Sequence, residues 1–273
     1  MKRPILLFAL ILGFVLCGST DVPAGETHPP DIDRILKRGR LIVLVDREEA
    51  FPTTLIDAAG TPYGLDLDLA RDVANKLGVA LELVRTDASG DEKVERVARR
   101  EADMAMALGI TPERARKVLF TRPYLSEHYA LVVNRILDAR LGGDADASLR
   151  SGKSRLAILR GSVYAALAKQ LFPRARPFLC SHRDVCQRAV LEGRVHAWLT
   201  AAFETIYRFS RHPEHAVTLK TILLRDHPLS GGIAVPWDSL HFHAWLNLYL
   251  ELSGHDPTAA ALTRRYLPGN RRP

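Results

Sequence analysis

The chain has 273 residues, of which 47% are hydrophobic and 25% charged. That balance excludes a disordered or fibrous architecture and leaves room for two lobes that each bury a core. The 38 Lys and Arg against 31 Asp and Glu give a net charge of +7, but the basic residues are scattered, with short groups only at Lys37-Arg38-Gly39-Arg40, Arg99-Arg100 and Arg271-Arg272 and no interleaved aromatics, which argues against a nucleic-acid partner.

Met1-Lys2-Arg3 leads into an apolar run from Ile5 to Cys17, and polar, proline-rich sequence begins by Asp21. This predicts a signal peptide over residues 1–24 and a protein exported to the periplasm, because the run is short for a permanent bilayer span. Cleavage after Ala24 and cleavage after Ser19 both satisfy the small-residue rule. Cys17 opens a lipoprotein reading, which Leu16 disfavours, because lipidation signals usually place a small residue before the cysteine.

From Asp31 onward helices and strands alternate. Asp31 is the expected N-cap of a helix to Arg38, Gly39 its stop, and Leu41 to Val45 a strand. Asp66 to Leu77 sets Leu67, Ala70, Val73, Ala74 and Leu77 on one helical face, Gly78 ends it, and Val79 to Val84 follows as a strand. Glu92 to Arg100 is a polar-faced helix and Asp103 to Ala107 a buried strand. Thr111-Pro112-Glu113 opens another helix, with threonine as cap and proline in the first turn.

After an apolar strand from Tyr129 to Val133, the stretch Leu141 to Leu149 is rich in Gly, Asp, Ala and Ser and reads as a lobe boundary. A second set follows, with strands at Arg155–Leu159, Pro177–Cys180, Val195–Leu199 and Val217–Leu223 and helices from about Ser162, Arg183 and Ala202. The alternation predicts parallel sheets with right-handed crossovers. Gly231 to Pro236 is one more strand, and Trp237–Glu251 and Pro257–Tyr266 are helices without a strand partner in the second lobe.

Several blocks, taken in order, resemble family 3 of the bacterial extracellular solute-binding proteins, the amino-acid-type receptors of ABC importers. They are Ile35–Val43, Gly60–Ala70 (Gly60-Thr61-Pro62-Tyr63-Gly64-Leu65-Asp66 at its start), Gly109–Arg114, Phe120–Tyr124, Gly161-Ser162, Leu191–Ala197 and Gly232–Pro236. The resemblance implies an α/β, two-lobed periplasmic-binding-protein fold of type II, each lobe a mainly parallel sheet flanked by helices, joined by two crossover strands. Lobe 1 would take residues 31–134 plus 231–273 and lobe 2 residues 135–230, with hinges near Val132–Asn134 and Pro228–Gly231. Ala50 to Leu55 looks closer to the receptor-like domain that precedes the catalytic domain in membrane-bound lytic transglycosylases. With only Arg271-Arg272-Pro273 beyond the last expected helix, no catalytic domain is expected here.

In such a fold the ligand sits between the lobes. Arg114, in a first helical turn, can hold a carboxylate with two parallel bonds, although an arginine there is in general more often a surface ion pair. Gly161-Ser162 precede a helix whose free N–H groups favour an anion, and Ser162 reads equally as a simple N-cap. Phe51 is an aromatic platform or a packed core residue. Asp46, Gly109, Thr111 and Thr200 complete the expected ligand-binding set, which contains no catalytic residue, metal or cofactor. Two departures from the family stand out. Where free-amino-acid receptors carry an Asp for the ligand ammonium, this chain reads Leu199-Thr200-Ala201-Ala202, with His196 in place of an earlier Asp, and Glu204 is the nearest replacement. The loop from Asp103 to Arg114 is about one residue short, with Gly109 where a hydroxyl residue is common.

Cys180 and Cys186 are expected to form a disulfide in an oxidising compartment. A metal on Cys180, His182 and Cys186 lacks the paired spacing of a zinc site, and His212/His215 and His241/His243 read as solvated or packed pairs. No Gly-x-Ser-x-Gly elbow, phosphate loop or His-Glu-x-x-His motif appears. The reading is a monomeric receptor that closes on a small carboxylate-bearing molecule, an amino acid or a related compound, and hands it to an ABC permease. The alternatives are a cyclohexadienyl-dehydratase-like lyase on the same scaffold and a non-transporting sensor or accessory subunit.

Overall fold

The computed structural model describes residues 27–254 and 258–267, so the signal segment, both cleavage sites and Cys17 lie outside the described residues. In chain order the elements are α1 (Pro30–Arg38), β1 (Arg40–Asp46), β2 (Leu55–Ile56), β3 (Pro62–Tyr63), α2 (Leu65–Lys76), β4 (Ala80–Thr86), α3 (Gly90–Ala98), β5 (Met104–Gly109), α4 (Pro112–Ala115) and β6 (Val118–Phe120). There follow β7 (Leu125–Asn134), α5 (Arg135–Arg140), α6 (Ala145–Arg150), β8 (Arg155–Leu159), α7 (Tyr164–Leu171), β9 (Arg176–Cys180), α8 (Arg183–Leu191) and β10 (Ala197–Ala201). The last are α9 (Ala202–Arg211), β11 (Leu219–Pro236), α10 (Leu240–Leu252) and α11 (Ala259–Tyr266).

Local chemistry sets several of these ends. Gly39 adopts φ 69° and turns its N–H back to the carbonyls of Ile35 and Leu36, the left-handed C-cap that suits glycine. Ser89 and Glu92 form a reciprocal capping box at the start of α3. Asp31 does not cap its own helix, whose N-cap is Pro29. Its carboxylate instead accepts from the N–H groups of His241 and Phe242, at 2.9 and 3.0 Å, and so caps α10.

The main sheet runs β4-β1-β5-β11-β7-β10-β8-β9, with β6 also on β11. The β1/β4, β1/β5, β8/β10 and β8/β9 pairs are parallel, while β7 and β11 pair antiparallel with their neighbours. Helices cover both faces, so the strands alternate between two cores rather than between core and solvent. Leu41, Val43 and Val45 face one lobe 1 cluster and Leu44 the other. Leu131 and Val133 face one lobe 2 cluster and Val132 the other, where Trp198 lies. The tail helices α10 and α11 fill lobe 1, burying Phe242, Leu246, Leu262 and Tyr266 against Ile35.

The strands expected at Val217–Leu223 and Gly231–Pro236 are one 18-residue strand, β11. The polar Arg225-Asp226-His227 reads as a break, but the uninterrupted β7 keeps pairing on either side of a register shift between Leu224 and Pro228. β10 pairs with β7 at residues 129–133 and β5 pairs with β11 from Gly231. The lobes therefore change over near residues 126–128 and 225–230. Val132–Asn134, where one hinge was expected, lie buried in lobe 2, and the Asn134 side chain caps α5. The small-residue stretch at 141–149 is likewise internal to lobe 2, where Ala145 and Leu149 of α6 join its core.

Candidate ligand-binding cleft

Between the lobes lies a cleft of about 390 Å³, walled by the C-terminal ends of β1, β5 and β8 and by the starts of α3, α7, α8 and α9. Strand C-termini facing helix N-termini are where open α/β sheets place their ligands.

Its floor is ionic. Lys93 of α3, 3% exposed, places Nζ 2.6 Å from Asp46 Oδ1. Arg183, the first residue of α8, reaches Asp46 Oδ2 at 3.3 Å. Burial pushes the Asp46 carboxyl up, but Lys93 and Arg183 together hold it below its usual value, so it is anionic. Arg183 also donates from Nη1 to Glu48 Oε2 and from its backbone N–H to Glu48 Oε1, both at 2.9 Å, and its Nε lies 3.9 Å from Glu204 Oε2. The other Glu204 oxygen accepts from Arg208 Nε, one turn along α9, and Arg208 lies over the buried Trp198 ring.

Arg114 sits where the lobes meet and is 6% exposed. Thr111 caps α4 by accepting from the Arg114 N–H at 3.3 Å. The guanidinium donates to Asp91 Oδ1 (3.0 Å) and the Gly109 carbonyl (2.9 Å) in lobe 1, and to the Gly161 carbonyl (3.2 Å) in lobe 2. The Asp91 N–H also reaches the Gly161 carbonyl at 3.2 Å. Two glycines permit this closeness. A Cβ on Gly109 would lie 2.5 Å from Val163 Cγ1, and one on Gly161, at φ 62°, would lie 2.6 Å from the Ser89 side chain. The lobes are thus closed on each other. Beside them Ala107 holds φ 53°, a left-handed conformation uncommon for alanine, with its N–H bound by Tyr124 Oη at 2.8 Å.

Of the remaining expected residues, Phe51 both lines the cleft and packs, edge-on to Phe203 (5.7 Å) and stacked on Tyr207 (6.1 Å). Ser162 lines the cleft but donates to the Leu159 carbonyl at 2.6 Å, two residues ahead of the first residue of α7. Thr200 is buried in β10 opposite Ala130 and is not part of the cleft wall, which Ala201 and Glu204 form instead. Thr111 acts through its cap. Sequence reasoning passed over Lys93, Glu127 and Arg183. Lys93 read as one more cation on a polar helix, and no local pattern marks a residue whose partners lie far along the chain.

Glu127, on β7 at the changeover, lines the cleft and accepts from the Phe203 N–H at 2.7 Å. Burial pushes its carboxyl up to about 8, the Phe203 N–H opposes this, and the nearby Glu204 adds to it. An unfolded glutamate ionises near 4.5, so between that pH and about 8 the folded state holds the extra proton and stability falls as pH rises. The melting temperature of Glu127→Gln relative to the parent should therefore rise from about pH 5 to about pH 8.5. A flat or opposite trend in calorimetry would mean that Glu127 is ionised in the fold.

Cys180 and Cys186 are joined by a disulfide with Cα atoms 5.5 Å apart, which ties β9 to α8 around Arg183 and leaves no thiol for a metal. His196 is far from the cleft, in a buried lobe 2 network with Ser154, Asp138 and Lys220. His212, Glu214 and His215 group at the surface. The Gln187 side-chain nitrogen lies 3.1 Å from His215 Nδ1, and His215 Nε2 lies 3.9 Å from Glu214.

Residues 41–269 match the family model of the bacterial extracellular solute-binding proteins, family 3. The membrane-bound lytic murein transglycosylase F of Maricaulis maris is 31% identical over 249 residues, 88% of this chain and 51% of that protein. That of Pectobacterium atrosepticum is 28% identical over 269 residues, 96% and 53%. The chain thus spans about half the length of these curated relatives. Among solved structures, a protein assigned as the binding component of an ABC transporter of Wolinella succinogenes, complexed with lysine, superposes with TM-score 0.72 at 25% identity, over 85% of this chain and 97% of that one. The solute receptor for L-cysteine of Neisseria gonorrhoeae shares the fold at TM-score 0.70 and 20% identity, over 86% and 93%. An ancestral amino-acid-binding protein described as a precursor of cyclohexadienyl dehydratase does so at 0.69 and 24%, over 86% and 98%.

Proposed function

We propose that this chain, which belongs to family 3 of the bacterial extracellular solute-binding proteins, captures a small carboxylate-bearing molecule in the periplasm and presents it to an ABC importer by hinge closure. The observation that carries this reading is the position of Arg114, whose guanidinium bonds both lobes at the edge of the cleft. A ligand carboxylate that displaces the Gly161 carbonyl and Asp91 exchanges these contacts for a bidentate, charge-assisted pair. The lobes then stay closed because the ligand bridges them, and they open about the changeover in β7 and β11 when it leaves. The volume of about 390 Å³ suits a small molecule. Export rests on the N-terminal sequence pattern; no helix among the described residues is long and apolar enough to cross a membrane.

The test is a thermal-shift screen against amino acids, dipeptides, muropeptide fragments and simple carboxylates. One compound at about 100 times its Kd should raise the melting temperature by roughly 5–10 °C. Arg114→Ala should bind it about 10–100-fold more weakly. Absence of a shift from every compound would remove the importer reading. The muropeptide arm asks whether this chain shares a ligand with its longer relatives.

One observation favours a second reading, a lyase on the same scaffold. Glu127 is a carboxyl that keeps its proton at neutral pH while facing the cleft, which suits a general acid that protonates a leaving group. Glu204, the neighbouring carboxyl of the cleft wall, is already paired with Arg208. Turnover of a bound carboxylate that disappears in Glu127→Gln would favour the lyase; tight binding without turnover favours the receptor.

A further inference from the structure

The cleft contains more carboxylates than a site for anions would suggest, and each has an internal partner. Asp46 and Glu48 from lobe 1 and Glu204 from lobe 2 converge on the guanidinium of Arg183. The second oxygen of Asp46 is held by Lys93, that of Glu48 by the Arg183 N–H, and that of Glu204 by Arg208. Of the other lining acids, Asp87 pairs with Arg47 at 3.3 Å, Glu92 closes the capping box of α3 and Glu127 accepts from the Phe203 N–H.

We infer that Arg183 sets the charge class of the ligand. It is a built-in cation that fills the place where a ligand ammonium would pair, so the cleft selects carboxylates that carry no amine. The inference rests on the carboxylate reading above and narrows it. An arginine suits the role because it stays charged and its rigid fork satisfies several oxygens at once. It is also hard to displace. Its backbone N–H is bonded to Glu48, and the disulfide from Cys180 to Cys186 holds the start of α8 on both sides of it. An incoming ammonium would have to break a half-buried, multiply bonded ion pair, and discrimination of this kind comes from what the site refuses. Arg160, exposed at the cleft mouth and without an ion-pair partner among the described residues, adds a cation that favours an incoming anion.

The test compares matched probes on the full-length protein by thermal shift and calorimetry: alanine against lactate, glutamate against glutarate, and arginine, lysine and methylguanidinium as cations. The parent is expected to prefer the amine-free member of a pair and to ignore the three cations. Arg183→Ala leaves three carboxylates around a vacated guanidinium site and should bind methylguanidinium at least about tenfold more tightly than the parent, while Arg183→Lys should not. A parent that binds arginine, lysine or the amine-bearing members as well as their partners overturns the inference, and so does a folded Arg183→Ala that gains nothing from methylguanidinium. If Arg183→Ala does not fold, its recovery on refolding with methylguanidinium but not with sodium supports the inference, and failure to recover counts against it. The methylguanidinium arm contains no carboxylate ligand, so it reads Arg183 even if the carboxylate reading fails, whereas the Arg114 variant reads that one alone.

Discussion

Replacing Lys93 by methionine is expected to lower the unfolding free energy by about 3–5 kcal/mol, the cost of taking one partner from a buried ion pair. Methionine matches the aliphatic stem, so the loss is in charge more than in packing. Lys93 Nζ lies 2.6 Å from Asp46 and also bonds the Met106 carbonyl at 3.4 Å. Its field also reaches Asp66, fully buried on α2, whose carboxyl burial pushes up to about 7 while the Tyr124 hydroxyl and Lys93 pull it down. Without Lys93 both carboxyls rise, and the variant relieves the unpaired charge by keeping protons. The deficit should therefore be larger at about pH 8 than at about pH 5, because ionisation is then forced on groups that resist it. Urea unfolding at both values measures this. A cost below about 1 kcal/mol at high pH would show that Arg183 alone satisfies Asp46.

Trp198→Ala should cost a similar amount in the other lobe, about 3–5 kcal/mol, because a buried indole is removed from a core that cannot fully collapse. Trp198 is 1% exposed and stands in β10 between Val132 of β7 and Ala157 of β8. Arg208 lies 5.4 Å over its ring and from there holds Glu204 at the cleft. The substitution should therefore weaken ligand binding as well as stability, through a side chain that does not line the cleft. Trp198→Phe, which keeps an aromatic face beneath Arg208, should recover most of the binding and part of the stability. Equal binding by the alanine variant would show that Glu204 keeps its place without the stacked arginine. The two variants also probe cooperativity between lobes, since Phe203 and Tyr207 of α9 pack on Phe51 of lobe 1. A single transition shifted by either substitution means that they unfold as a unit.

Much of the fold is legible in the sequence, because helix and strand periods are properties of neighbouring residues. The stops at Gly39 and Gly78, the Thr111 cap and the β-α alternation of both lobes follow from side-chain pattern and turn chemistry. What was misread depended on partners distant in sequence. Asp31 has the local look of an N-cap, yet it caps α10, more than 200 residues later. Arg225 to His227 look like a loop, yet β7 holds the flanking segments in one strand. For the cleft, the sequence pointed to Arg114, Phe51, Ser162 and Asp46 along the wall, but not to what those groups already bind.

The amino-acid sequence by itself determined the two α/β lobes, the family and the region of the cleft, because hydrophobic period, caps and ordered motifs are local and survive without knowledge of neighbours. Only the tertiary structure decided the electrostatics of the cleft. Arg183 meets Asp46 across 137 residues of chain, burial, with Glu204 adding to it, pushes the Glu127 carboxyl up, and Arg114 bonds both lobes only once they close. Charge state and pairing depend on burial and on distances of a few ångströms, and these come into being when the chain brings its two lobes together.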